Sequence, residues 1–227
     1  MDLSNYFSGI STDLLNISNH INITEFANGL NSGKDIQISE QQSVVTNLFE
    51  FFSQVHKIYN QIQFIDKSGH ERVCVDFNGN STQIAPLSQL KDKSERNYFK
   101  ETINMAQGSI YTSQIELNIE NGKIEVPYNP VIRFATPVFV DEQQAGIIIF
   151  KVFANRDLPF LPRKTMEDQT KDDYILVDQN GFYVHHPDKT KEWGMMDLLN
   201  RSHHNLRHDY PDVTEEILSG QKGLVRL

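Results

Sequence analysis

Apolar residues at Leu3, Phe7, Ile10, Leu14, Ile17 and Ile21 are spaced four, three, four, three and four apart. That is the heptad seam of a long helix able to pack on another helix or on a sheet. The segment GLNSGKD (29–35) breaks it. A second amphipathic helix is predicted from about Ser39, with Val45, Leu48, Phe49, Phe52 and Val55 on one face, so the chain reads as helical up to about Lys57. The period then becomes two. Ile62 and Phe64 alternate with polar residues, the turn DKSG (66–69) follows, and Val73, Val75 and Phe77 alternate on the return, which predicts an antiparallel hairpin. Further on, Ile115, Leu117 and Ile119 share one face of a predicted long strand ending at Asn121-Gly122, a strong hairpin dipeptide. Residues 131–153 supply two more strands around an acidic turn, and the second is apolar on both faces, so it should be central and covered.

Helix, two strands, a short helix and three strands describe an α+β fold: a five-stranded antiparallel sheet with helices on one face, as in PAS-like modules. From Asp172 the scheme starts again, because YILVDQNGFYVHHP repeats strand, DxxG turn and strand. Asp66 and Gly69 are matched by Asp178 and Gly181, each pair 112 residues apart. The second copy stops at GLVRL with too few strands to close a sheet, so it is expected to be incomplete. The expected organisation is an N-terminal helical segment (1–57), a first PAS-like module (58–157) and a truncated second module (158–227).

Between the hairpin and the long strand, Asp92 and Glu95 have capping-box spacing, predicting a helix from near Lys93 to Gly108. Phe99, Ile103 and Ala106 form its inner stripe, and Arg96, seven residues before Ile103, falls within about 20° of it. A cation near a helix N-terminus opposes the macrodipole and needs an anionic partner. Arg133 and Lys151 likewise interrupt apolar strands. Three cations among buried runs require anions, since unpaired burial costs several kcal/mol. The partners are either the chain's own Glu95, Glu116, Asp141 or Asp157, or a ligand. With the hydroxyls of Tyr98, Tyr111 and Ser113, and with Phe99 and Phe134 as a frame, the set suits a small carboxylate-bearing molecule.

The 227 residues carry 30 acidic and 21 basic side chains, a formal charge of -9, with no Lys/Arg run, which argues against nucleic-acid binding. Cys74 is the only cysteine, so no intrachain disulfide forms, and its place between two valines is that of a small strand residue. No apolar run reaches the roughly 18 residues of a membrane span. Catalytic signatures such as GxSxG, HExxH or a Gly-rich phosphate loop are missing, so no enzyme, cofactor or metal site is expected. His185-His186, His203-His204 and His208 cluster in sequence, but adjacent strand histidines face opposite sides and His204/His208 lack an accompanying acid.

YNQIQFIDKSGHERV, LSQLKDKSERNYFKET, the stretch 108–139 and YILVDQNGFYVHHPDKTKEWGMM resemble the double Cache (tandem PAS-like) extracytoplasmic sensor domains of bacterial histidine kinases, diguanylate cyclases and chemoreceptors, from about Val44 onward. The resemblance implies a periplasmic domain of an inner-membrane receptor. It further implies a helix continuing from a membrane span absent from this chain, and a membrane-distal module that holds a small-molecule ligand. In the amino-acid-binding branch an Arg is followed two and three residues later by aromatics, which Arg96, Tyr98 and Phe99 resemble, and Tyr111 resembles a tyrosine opening the next strand. The branch's last-strand aspartate, which holds the ligand's amino group, corresponds to Lys151, so an anion without an ammonium is expected. Related sequences also carry arginines where this chain has Gln63 and Cys74. The expected output is a helix shift across the membrane. The alternative is a dimerisation or partner-docking module with a vestigial pocket, with the homodimer formed along the N-terminal helix at Ile10 and Leu14.

Overall fold

The computed structural model describes residues 3–32, 35–120, 122–154 and 174–220. In chain order the elements are α1 (Leu3–Ser18), α2 (Ile21–Ser32), α3 (Asp35–His56), β1 (Tyr59–Asp66), β2 (Glu71–Phe77), β3 (Thr82–Ile84), α4 (Asn97–Thr102) and β4 (Tyr111–Thr112). They continue with β5 (Glu116–Leu117), β6 (Ile119–Glu120), β7 (Lys123–Ile124), β8 (Pro130–Val140), β9 (Gln143–Phe153), β10 (Leu176–Val177), β11 (Tyr183–His185), α5 (Leu206–Asp209) and α6 (Thr214–Leu218). The chain divides into two compact units: Met1–Ser113 with Ile132–Phe153, and Gln114–Val131 with Ala154–Leu227. Residues 114–131, placed by sequence inside 58–157, thus group with the second unit, and the expected boundary at 157/158 lies outside the described residues.

In the first unit an antiparallel sheet runs β3-β2-β1-β9-β8-β4. Register sorts its side chains into two faces. Ile62 lies opposite Val75 and Phe150, and Phe64 opposite Val73 and Ile148, so these residues share a face, as the alternation predicts. The helices cover it: Phe26 of α2 meets Phe64 edge-on at 5.2 Å, and Phe7 of α1 meets Phe134 at 5.7 Å. β9 is central, between β1 and β8, and its residues from Ala145 to Val152 are buried. Asp141 and Glu142 both have positive φ (47° and 61°), which is the turn that joins two twisted strands after only two residues.

The single long N-terminal helix is two helices. At the break Asn19 Nδ2 donates to the Leu15 carbonyl (2.8 Å), and His20 Nδ1 accepts the Asn22 N–H (3.2 Å) as a cap for α2. Ile10, Leu14 and Ile17 of the seam are buried, and α1 packs on β9, while Ile21 is 62% exposed. The residues expected to form a homodimer seam are therefore consumed by the chain's own core, which removes Ile10 and Leu14 as dimer contacts. The second helix starts earlier than predicted, and of its expected face Val45 and Phe49 are buried but Val55 is 57% exposed. Asp13 ties α1 to the α3–β1 junction, because its Oδ2 accepts the Tyr59 hydroxyl (2.5 Å) and lies 3.1 Å from His56 Nδ1. Burial, and then this carboxylate, push the Tyr59 hydroxyl far above its usual pKa.

Two predicted elements change. The long strand through Ile115–Ile119 is broken into β4, β5 and β6, with Leu117 buried. The helix expected from Lys93 to Gly108 has six residues, and Ala106 is exposed. Asp92 does not cap it. Its Oδ1 accepts the Ser94 N–H (2.8 Å), so the acid closes a local turn two residues long instead.

In the second unit β6 and β7 pair as the expected hairpin, Ile119 opposite Ile124, with Gly122 at φ 77°, while Asn121 lies outside the described residues. β10 and β11 pair around the second DxxG turn. The two turns share one hydrogen-bond set. Asp66 Oδ1 accepts the N–H of Ser68 and His70, and Asp178 Oδ1 accepts those of Asn180 and Phe182. Gly69 and Gly181 both need positive φ (91° and 86°). Each glycine carbonyl also accepts an N–H from a later segment, Lys93 in one case and Leu206 in the other, both at 2.7 Å. The repeated motif in sequence is thus a repeated piece of structure. Residues 155–173 and 221–227, which include Asp157 and the GLVRL ending, lie outside the described residues.

Candidate functional site

The face of the first sheet opposite the helices carries the polar chemistry. Register puts Gln61 opposite both Asp76 and Lys151, and Gln63 opposite both Cys74 and Ile149, all on this face. Ile65, Ile147, Ile149 and Ala135 form an apolar floor under Tyr98 and Phe99 of α4, with Ile103 and Tyr111 at its margin. Alternation along β8 gives this side Arg133 and Ala135 and turns Phe134 toward α1.

Two guanidinium groups converge on one ring. Arg96 Cζ lies 5.6 Å and Arg133 Cζ 5.5 Å from the Tyr98 centroid, both within cation–π range. Burial pushes the Tyr98 hydroxyl up, Arg133 and then Arg96 pull it down, and Glu71 pushes it up again. Arg133 is 7% and Lys151 4% exposed, whereas Arg96 is half-buried. Arg96 does not lie on the helix's inner stripe. It is the N-cap residue, with extended backbone (φ -77°, ψ 134°), and reaches inward from the loop. Among the described residues no carboxylate lies within ion-pair distance of it. Glu95, one candidate partner, is taken by Lys100 at 2.6 Å, and Asp141 is exposed in the β8–β9 turn.

Of the residues predicted for the site, Arg96, Tyr98, Phe99, Tyr111, Arg133 and Lys151 belong to this side of the sheet. The Ser113 hydroxyl accepts the Arg133 N–H (2.9 Å) and so fixes the strand that carries Arg133. Phe134 is a correction: it packs on Phe7 of α1, on the other face. The residue that sequence misses is Glu71. By alternation it should share the face of Val73, but a bulge at Phe64/Ile65 shifts the register, so Glu71 pairs with Ile65 and turns to the polar side. There its Oε1 accepts from Gln63 Nε2 at 2.6 Å. Cys74, beside it, is pushed up to about 12 mainly by burial, so it is a neutral thiol rather than a nucleophile.

The clustered histidines of the second unit take separate roles. His185 lies 3.3 Å from Glu192 Oε1, His186 Nδ1 accepts the Asp188 N–H, and His204 precedes α5, so it forms no helical pair with His208. Asp209 gathers polar groups from three neighbours, Tyr183, Lys191 and His208. Burial opposes its ionisation, but hydrogen bonds from Lys191 (2.7 Å), His208 and Tyr183 outweigh that and hold it down to about 2. The folded-state value is below the unfolded one, so the resulting stability is present above about pH 4 and is lost as pH falls toward about 2. Asp209→Asn should therefore lower stability at neutral pH and flatten its fall between about pH 4 and pH 2, measured by urea denaturation at each pH.

Residues 28–226 match the family described as the sensor domain of bacterial histidine kinases. No curated protein matches. Among solved structures, a domain described as part of a sensory box/GGDEF family protein of Vibrio parahaemolyticus is 22% identical with TM-score 0.78, covering 98% of this chain and 80% of that one. The extracellular domain of a protein described as the histidine kinase vpHK1S-Z8 is 23% identical with TM-score 0.76, covering 99% and 76%. The ligand-binding domain of the Pseudomonas fluorescens chemoreceptor CtaA, in complex with L-serine, is 16% identical with TM-score 0.54, covering 93% and 73%. At these identities the likeness is one of fold.

Proposed function

Because this chain belongs to the bacterial histidine kinase sensor domain family, we propose that it is the extracytoplasmic ligand-sensing part of a membrane receptor and that it binds a small carboxylate on the polar side of the first sheet. The observation that carries this reading is the pair of guanidinium groups on the Tyr98 ring, one of them without a carboxylate partner among the described residues. Guanidinium forks suit carboxylates, and a charge-assisted pair on an apolar floor is stronger than in water. The Tyr98, Phe99 and Tyr111 rings would frame the ligand, and Lys151, where the resembling amino-acid receptors have an aspartate, favours an acid over a zwitterion. Ligand contacts that differ between two arrangements of the Arg96 loop would bias the sheet and the helices packed behind it, which is the origin of the signal.

The test is a thermal-shift panel of acetate, pyruvate, succinate, malate and citrate against their neutral amides, with glycine and serine as zwitterions. One acid at about 100 times its Kd should add about 2.7 kcal/mol of stability, and its amide should add none. A panel in which no acid stabilises the chain overturns the proposal, and a response to the amino acids alone would reassign the ligand class.

A further inference from the structure

Resting on that carboxylate site, we propose that Glu71 is its positioning residue: a buried carboxylate that fixes the loop presenting Arg96. The Glu71 side chain is 4% exposed. Its Oε2 accepts the Lys91 N–H (2.8 Å), its Oε1 lies 3.1 Å from Lys93 Nζ, and its own N–H donates to the Lys91 carbonyl (3.0 Å). Lys93 N–H donates in turn to the Gly69 carbonyl (2.7 Å), and Arg96 N–H to the Lys93 carbonyl (2.9 Å). The loop is therefore pinned at Lys91 and Lys93, and Arg96 leaves from the next turn. A buried carboxylate is a costly way to join two segments that an apolar contact would also join. What it adds is direction, because two fixed anchors leave the guanidinium few positions to search.

The second unit solves the same problem with other chemistry. Tyr183, 112 residues after Glu71, is likewise the first residue of the second hairpin strand. Its hydroxyl donates to Asp209 Oδ2 (2.9 Å), three residues beyond the docked Leu206, as Arg96 is three beyond the docked Lys93. In that unit the tether grips the third residue itself, and Lys191 closes the charge at 2.7 Å. In the first unit Glu71 grips the loop at Lys91 and Lys93 and leaves the third residue, Arg96, to face the Tyr98 ring.

Two measurements on Glu71→Gln test this. In the unliganded protein, hydrogen exchange at the Lys91–Arg96 amides should quicken at least tenfold while β1 and β9 keep their protection; unchanged exchange there overturns the proposal whether or not any acid binds. For the panel acid with the largest shift, Glu71→Gln should weaken binding roughly tenfold or more, the scale of a small misplacement of a binding group. In an Arg96→Ala background it should change nothing further, because Glu71 acts through Arg96. Additive losses would mean that it does not. A panel without any responding acid would sink the carboxylate site and leave the exchange result to decide the role of Glu71.

Discussion

Replacing Arg96 by alanine is expected to weaken the responding carboxylate by about 100-fold or more, while the unliganded protein keeps its melting temperature within about 2 °C. Truncating one partner of a desolvated charge pair costs about 2–5 kcal/mol, and each 1.4 kcal/mol is about tenfold in Kd. Stability should hardly move, because Arg96 is half-buried, caps only a six-residue helix and gives up no carboxylate partner among the described residues. Arg96→Lys keeps the charge and loses the planar fork, so an intermediate loss is expected. Isothermal titration of the three proteins checks the order. An Arg96→Ala protein that binds like the wild type would put the ligand elsewhere.

Gly69→Val is expected to destabilise the protein by about 3 kcal/mol, or roughly 6–12 °C in Tm for a chain of this size. Two causes add. The backbone at φ 91° disfavours any side chain, and a Cβ would fall 2.5 Å from Ser94 Cβ and 2.6 Å from Ser94 Cα, inside the docked loop. The loop cannot yield without losing the Lys93–Gly69 hydrogen bond, so Arg96 should be displaced and the acid response lost with it. Gly108→Ala is the control. Its φ is 78° but nothing lies within 4 Å of the added carbon, so only the conformational cost of about 1 kcal/mol should appear. Equal losses at the two glycines would show that close packing against Ser94 is not what the turn depends on.

Much of the fold follows from short-range pattern. Alternation in Ile62–Phe64 and Val73–Phe77 correctly assigns the helix-facing side of β1 and β2, and the apolar run in β9 correctly marks it as central. The DxxG repeat at an offset of 112 identifies two turns that share one hydrogen-bond set. The heptad seam at Ile10, Leu14 and Ile17 marks a packed face, but not whether the partner is this chain or another. Spacing describes only how wide an apolar stripe is. The capping-box spacing of Asp92 and Glu95 misleads because an aspartate's short side chain satisfies its own neighbouring N–H more easily than a helix start.

The sequence by itself determined the α+β architecture, the strand faces wherever alternation is unbroken, and the placing of Arg133 and Lys151 on buried strands, because those depend on periodicity and burial within single elements. Only the tertiary structure decided that Arg96 approaches Tyr98 from a loop rather than a helix stripe, that Phe134 packs on α1, and that Glu71 turns to the polar side. The last depends on a one-residue bulge, and a bulge is set by pairing with another strand, so no pattern within β2 could reveal it.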